Sequence, residues 1–344
     1  MYSESDIDAA IAAGALSATE ADKFRAFIAA QKTAPAVDEE YVRLLTGFND
    51  IFVSIAIALV LGAISFTAGA VPLKCAAVAA VSWGLAEYFT RQRRMALPSI
   101  LLLLSYAAGV AGFLLWGVGR IIGTPVSLVS GNANPALALG LAGAAVLMGV
   151  AAYAHWRRFH VPITIAAGTA TVVLTLIGVL MAAFPPLALH WPWLVLAAGL
   201  GVFTLALRWD MADIARTTRR TDVAFWLHLL AAPMLVHPVF YLLGLLHDNN
   251  PGESRAVIAI GIYLLLGLVA LLVDRRALLV SALGYVMFAL STVLKASGMV
   301  GQDLTYTALA AGAALLLLSA FWHKARLAVL ALTPARLRRT LPPA

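Results

Sequence analysis

The chain has 344 residues, of which 62% are hydrophobic and only 12% charged, and its formal net charge is +7. A soluble domain carries about 25% charged residues, so the composition excludes an ordinary water-soluble globule. A single cysteine, Cys75, excludes an intramolecular disulfide framework.

Residues 1–50 are a different material, with nine acidic and four basic side chains. Ser3-Glu4-Ser5-Asp6 reads as a helix start, with the helix running to about Ala13 and Gly14 as its C-terminal cap. Ser17 and Glu20 have the spacing of a capping box, which predicts a second helix from there to about Gln31. Ile7, Ile11, Leu16, Phe24 and Phe27 are spaced to close a small helical hairpin, with too little apolar surface for a sturdy independent core. A third, amphipathic helix is expected from Asp38 to about Phe48. The segment lacks the basic start and early apolar run of a signal peptide.

Ten apolar runs follow, at 51–68, 72–89, 98–119, 135–155, 162–184, 192–208, 223–246, 256–273, 277–294 and 304–322. Each approaches the roughly 20 residues that a helix needs to cross a hydrocarbon core of about 30 Å. Only helices and closed barrels satisfy their backbone in lipid, and continuous rather than alternating runs select helices. Pro72, Pro98, Pro135, Pro162 and Pro192 stand at span starts, where the missing amide would have had no helical partner. The predicted fold is an all-α polytopic bundle. Residues 1–49 are a cytoplasmic helical segment, 50–322 a ten-span domain of successive hairpins, and 323–344 a basic amphipathic tail suited to an anionic membrane surface.

Arginine doublets punctuate the spans. Arg93-Arg94, Arg157-Arg158, Arg219-Arg220, Arg275-Arg276 and Arg338-Arg339 follow one another at 64, 62, 56 and 63 residues. Each interval holds two spans and one opposite turn, a hairpin repeat near 60 residues. With ten spans, 20 of the 24 basic residues fall on the side of the N-terminus; only Lys74, Arg120, Arg255 and Lys295 fall on the other. The positive-inside bias therefore places both termini in the cytoplasm. The same distribution argues against nucleic-acid binding, since the arginines sit in short turns that topology already explains.

Ionisable residues within a membrane are expensive and mark candidate sites. The seventh span is the richest. On an ideal helix Asp222, Trp226, Pro233 and His237 fall within about 60° of one another, Tyr241 follows one turn on, and His228 points away. Pro233 and Pro238 each remove a backbone donor and are expected to kink the helix. Asp222, Trp226, His228, His237 and Tyr241 are the candidate substrate-binding residues. Glu87, Arg120, Asp274 and Lys295 lie near span ends, where charges reach the interface. His190, His247, Asp248 and Glu253 are of metal-ligand type but lack ligand spacing, so no metal is expected. No phosphate loop, nucleophile elbow or nucleotide fingerprint is present, so no catalytic residue or cofactor is assigned. The small residues Gly140, Gly143, Ala144 and Gly149, and Ala308, Ala311, Gly312 and Ala314, read as helix-packing surfaces.

The stretch Ile11-Ala-Ala-Gly14-Ala-Leu-Ser17 with Glu20, followed by the long polytopic body, resembles uncharacterised multi-pass inner-membrane proteins of bacteria that carry a short cytoplasmic helical hairpin. The resemblance implies a bacterial inner-membrane location and brings no activity with it. The layout is also similar to that of drug and metabolite exporters. The expected role is non-enzymatic, a scaffold or sensor in the bilayer whose acidic segment 1–49 meets a cytoplasmic protein. The alternatives are a small-molecule transporter working at the seventh span, or a membrane enzyme using His190, His247 and Asp248.

Overall fold

The computed structural model describes residues 7, 10–31, 48–123, 134–213, 218–244, 253–296, 303–334 and 341, and every regular element among them is a helix. The chain divides into two compact units, residues 1–41 with residue 344, and residues 42–343.

In the first unit α1 spans Ala18–Gln31. Its first turn is tied by reciprocal bonds: the Ser17 amide donates to Glu20 Oε2 at 3.0 Å and the Glu20 amide to Ser17 Oγ at 3.2 Å. Two amides that the helix itself leaves without acceptors are satisfied this way. The Ser17 hydroxyl and then its amide hold the Glu20 carboxyl below its ordinary range. Gly14, at φ +70°, turns the chain just before α1, a conformation that costs glycine nothing. The amphipathic helix expected over 38–48 lies, up to residue 47, outside the described residues.

The second unit begins with α2 (Phe48–Phe66) and α3 (Val71–Ala86), which widens into a six-residue π-helix at Glu87–Gln92. Then come α4 (Ala96–Ile122), α5 (Pro135–Phe159), α6 (Ile163–Ala183) and, after a 3-10 turn at Pro185–His190, α7 (Trp191–Met211). The remaining helices are α8 (Arg219–Leu242), α9 (Glu253–Val273), α10 (Ala277–Ala296), α11 (Asp303–Ala320) and α12 (Trp322–Leu332). Among the described residues six helices are long and apolar enough to cross a membrane: α2, α4, α5, α6, α7 with its 3-10 turn, and α8. A seventh is added if α11 and α12, bent by 75° at their junction, count as one broken span. Helix α3 falls short because its α-helical part ends after 16 residues, at the π-helix.

Tight hairpins pair α3 with α4, α5 with α6, α7 with α8 and α9 with α10. Each pair is joined by a turn that carries basic residues. Three of these turns pass through a left-handed residue that is not glycine: Arg94 (φ 53°), His160 (φ 54°) and Asp274 (φ 58°). Such a residue costs roughly 1–2 kcal/mol, offset here by the packing of the hairpin it closes. At the α3–α4 crossing a Cβ on Gly109 would lie 2.7 Å from the Cys75 carbonyl oxygen and 2.8 Å from the Ala79 nitrogen. Cys75 packs into this crossing, its Sγ 2.7 Å from where a Cβ on Gly112 would lie. Gly140 and Gly149 in α5 likewise abut Val118 and Thr171. In α11, among the described residues, Ala308 and Ala314 are exposed, Ala311 is half-buried, and a Cβ on Gly312 would meet nothing within 4 Å.

Helix α8 is the centre of the second half. Half of its apolar stretch is buried within the protein, against 17–28% for the other five membrane-length helices. It packs on α7, α10 and α6. Its two prolines, expected to kink it, do not interrupt it, and α8 is one helix from Arg219 to Leu242.

Candidate functional site

Three helical hairpin parts send charged side chains to one point beside α8. Asp210 closes the last turn of α7, where a carboxylate meets the negative end of the helix dipole and needs a cation. Arg275 supplies it from the α9–α10 turn. The left-handed Asp274 reverses the backbone there, and the next side chain enters the bundle. Arg275 Nη2 donates to Asp210 Oδ1, and Nε to Oδ2 at 3.4 Å. His228 of α8 completes the group, its Nε2 lying 2.7 Å from Asp210 Oδ2. A carboxylate only accepts, so His228 Nε2 carries the hydrogen. Arg275 Nη2 also reaches the Thr221 carbonyl at 3.4 Å.

Burial sets the energetics. Asp210, His228 and Arg275 are 6%, 0% and 1% exposed. Taking such groups out of water is tolerable only when charges are paired and lone pairs filled, and the forked guanidinium on a carboxylate is the geometry that does so. Phe203 of α7 sets its ring edge-on to His228, with centroids 5.4 Å apart. Nearby, Asp213 gathers the start of α8, accepting from the Thr218 amide at 2.8 Å and from the Thr218 and Thr221 hydroxyls at 2.7 and 2.9 Å. Asp222, half-buried in the first turn of α8, lies within electrostatic reach of Arg275, Arg219 and Asp213.

A second polar group stands on the other half of α8. His237 Nδ1 lies 2.6 Å from the Tyr285 hydroxyl of α10. Trp191, at the start of α7, sets its ring 5.9 Å from His237 and 4.7 Å from Tyr241. Nine residues separate His228 from His237, about 13 Å along the axis and half a turn around it. The two histidines therefore serve opposite faces and opposite depths of one helix.

The five predicted residues thus divide. Asp222 and His228 belong to the ionic end; His237 and Tyr241 belong to the aromatic end. Trp226 joins neither, packing in the core against Leu103, Val161, Ile163 and Ala166. His228, which the helical wheel sets apart from the stripe, is the most deeply placed of the five. Asp210, Arg275 and Tyr285 complete these groups and were not singled out from the sequence. Their signals are faint: Asp210 is a lone carboxylate at a span end, and Arg275 belongs to a doublet that topology explains.

Other expected end residues also found partners. Glu87 takes both a 2.6 Å and a 2.9 Å bond from Arg158, pinning the π-helix to α5. Asp274 reaches across to the C-terminal helix, accepting from Trp322 Nε1 at 2.8 Å with Arg326 at 3.7 Å. His155, another residue the sequence reading passed over, is 1% exposed among Trp83, Tyr106 and Phe159, with Thr164 Oγ1 3.3 Å from its Nδ1. His190 is exposed on its 3-10 turn; His247 and Asp248 lie outside the described residues. Among the described residues no group of three His, Cys, Asp or Glu side chains is placed to hold a metal ion. No protein-family model, curated protein or solved structure matches the chain.

Proposed function

We propose that the chain is a ten-span inner-membrane protein, non-enzymatic, with both termini on the arginine-rich cytoplasmic side, and that α8 works as a proton-responsive element in small-molecule transport. One observation carries the reading: the Asp210, His228 and Arg275 cluster, fully buried in a bundle of membrane-length helices. Ionisable groups buried among such helices are candidates for ion and substrate pathways. A static scaffold gains little from them, because apolar side chains of similar volume fill such a space at equal or lower cost.

Imidazole is the side chain that changes charge between about pH 5 and 8. With Arg275 already paired to Asp210, a proton on His228 adds a second positive charge to one carboxylate. Asp222 and Asp213 are the other carboxylates close enough to respond. The shift in balance alters how tightly the α9–α10 turn holds α7 and α8. The His237, Tyr285, Trp191 and Tyr241 group at the other end of α8 is the polar, aromatic surface a substrate would meet. The acidic segment 1–49 is assigned to a cytoplasmic protein partner, on the strength of its composition.

The test uses sealed vesicles and a membrane-impermeant maleimide. In a Cys75→Ser background, single cysteines replace Pro233 and Tyr241. Labelling at the two positions is expected to differ between about pH 5.5 and pH 8, and the difference is expected to vanish in His228→Gln. Equal labelling at both pH values in the otherwise native chain overturns the reading. A C-terminal reporter fusion that is active outside the cytoplasm overturns the ten-span topology.

A further inference from the structure

Helices α5 and α6 leave a groove of about 680 Å³ along their outer face, within the size range of small-molecule pockets, about 300–1,000 Å³. Its floor is made of small residues, Ala145, Gly149 and Gly168, and its rim of the exposed Val146, Val150 and Val172. Three of the threonines along it, Thr169, Thr171 and Thr175, turn their hydroxyls back into their own helix, and the fourth, Thr164, turns its hydroxyl to the buried His155. Thr169 donates to the Ile165 carbonyl at 2.9 Å, Thr171 to Gly168 at 2.7 Å and Thr175 to Thr171 at 2.8 Å. The groove is therefore apolar along its length, on two helices of membrane-spanning length and composition.

Its length and its charged end identify what fits. From Ala145 to Trp156 is eleven residues, about 17 Å of helix, close to half of a hydrocarbon core of about 30 Å. The groove is as deep as one leaflet. It closes at the arginine end of α5, where Trp156 and Tyr153 line it as interfacial aromatics do. Arg157 stands there, exposed, with Nη1 held 3.2 Å from the Tyr153 hydroxyl and its guanidinium carbon 5.9 Å from the ring centroid. Its neighbour Arg158 is neutralised by Glu87. Among the described residues Arg157 has no carboxylate partner, so one uncompensated positive charge stands at the headgroup end of a leaflet-deep apolar slot.

We infer that the α5–α6 groove is a binding site for an anionic phospholipid of the arginine-side leaflet, one acyl chain lying in the groove and the phosphate on Arg157. The site is independent of the α8 cluster; it needs only that α5 and α6 span the bilayer.

The experiment reads quenching of Trp156, which lines the groove, in vesicles of phosphatidylcholine with a minor fraction of brominated lipid. The Trp156 signal is the difference between the full-length chain and its Trp156→Phe variant. Brominated phosphatidylglycerol is expected to occupy the site about fivefold better than brominated phosphatidylcholine, the contribution of one basic side chain at an anionic surface. Arg157→Ala is expected to remove that preference while leaving chain quenching in place. At Gly168 an added Cβ meets no atom within 4 Å, so Gly168→Leu starts its side chain in open space and extends it into the groove, and is expected to abolish the quenching by both lipids. Equal occupancy of the two lipids in the native chain overturns the headgroup assignment. Quenching unchanged by Gly168→Leu overturns the site. A native dimer that Gly168→Leu converts to monomer assigns the groove to a second copy of the chain and likewise overturns the proposal.

Discussion

Asp210→Asn is the change that most directly probes the ionic cluster. The substitution keeps the shape of the side chain and removes its charge. Arg275, 1% exposed, then keeps its positive charge and loses the one carboxylate it is bonded to among the described residues, with Asp222 left at longer range. Removing one partner of a buried pair costs about 3–5 kcal/mol, because the other charge stays desolvated. The loss of His228 as a donor to a full carboxylate adds to this rather than offsetting it. Removing both charges is a different matter. The double variant Asp210→Leu, Arg275→Met removes both charges and leaves only the His228 Nε2 hydrogen without its acceptor, so it is expected to cost about 1–3 kcal/mol, less than Asp210→Asn alone. The two sites then couple by several kcal/mol, at or beyond the upper end of measured pairwise values, about 3 kcal/mol. The assay is reversible unfolding in mixed micelles titrated with dodecyl sulfate, followed by tryptophan fluorescence, with the two single variants and the double variant closing a cycle. An Asp210→Asn variant within about 0.5 kcal/mol of the native chain, the range of an ordinary surface change, refutes the claim that the cluster is a dry, mutually dependent unit.

The exposed pair between Glu87 and Arg158 provides the contrast, with side chains 31% and 42% exposed. Glu87→Gln is expected to shift the unfolding midpoint little at low salt and not at all in 1 M salt, where the screening length falls to about 3 Å. Gly109→Ala drives a methyl into the backbone of α3 and is expected to lose about 1–3 kcal/mol; Gly143→Ala, with open space around it, is expected to be neutral or slightly stabilising in the same micelle assay. Tyr285→Phe removes the hydroxyl from His237 and is expected to cost about 0.5–1.5 kcal/mol; no change would mean that water replaces it. The Glu20 carboxyl is held below its ordinary range by Ser17, so the contribution of the capping box is present above the ordinary glutamate range and is lost as pH falls through the lowered folded value. Amide exchange at Ser17 and Glu20 in the intact chain is expected to accelerate on that acid side only, and pH-independent protection would contradict it.

Much of the helical layout was legible without coordinates. The ends of α5 and α6 follow from Pro135, the Arg157-Arg158 doublet and Pro162, because apolar length, proline position and charge act on each segment largely by itself. The start of α1 is of the same kind, since Ser17 and Glu20 act within one turn. Arginine-bearing turns could likewise be anticipated, although the left-handed Arg94, His160 and Asp274 that close them could not. Among the described residues, the number of helices long and apolar enough to cross a membrane, six or seven, depends on the π-helix after Ala86 and the 75° bend before Trp322, which the apolar pattern does not mark. The site itself was only half visible. A helical wheel ranks side chains by angle on one helix, and by that measure His237 led and His228 stood apart. Which of them is buried with charges depends on what α7 and the α9–α10 turn bring alongside, from positions 18 residues before and 47 residues after His228 in the chain. Composition and spacing along the chain determined that this protein is built of apolar helices joined by arginine-bearing turns; only the tertiary structure decided that Asp210 and Arg275 meet at His228, because a pair energy between distant residues exists only once packing has set their distance and removed the water between them.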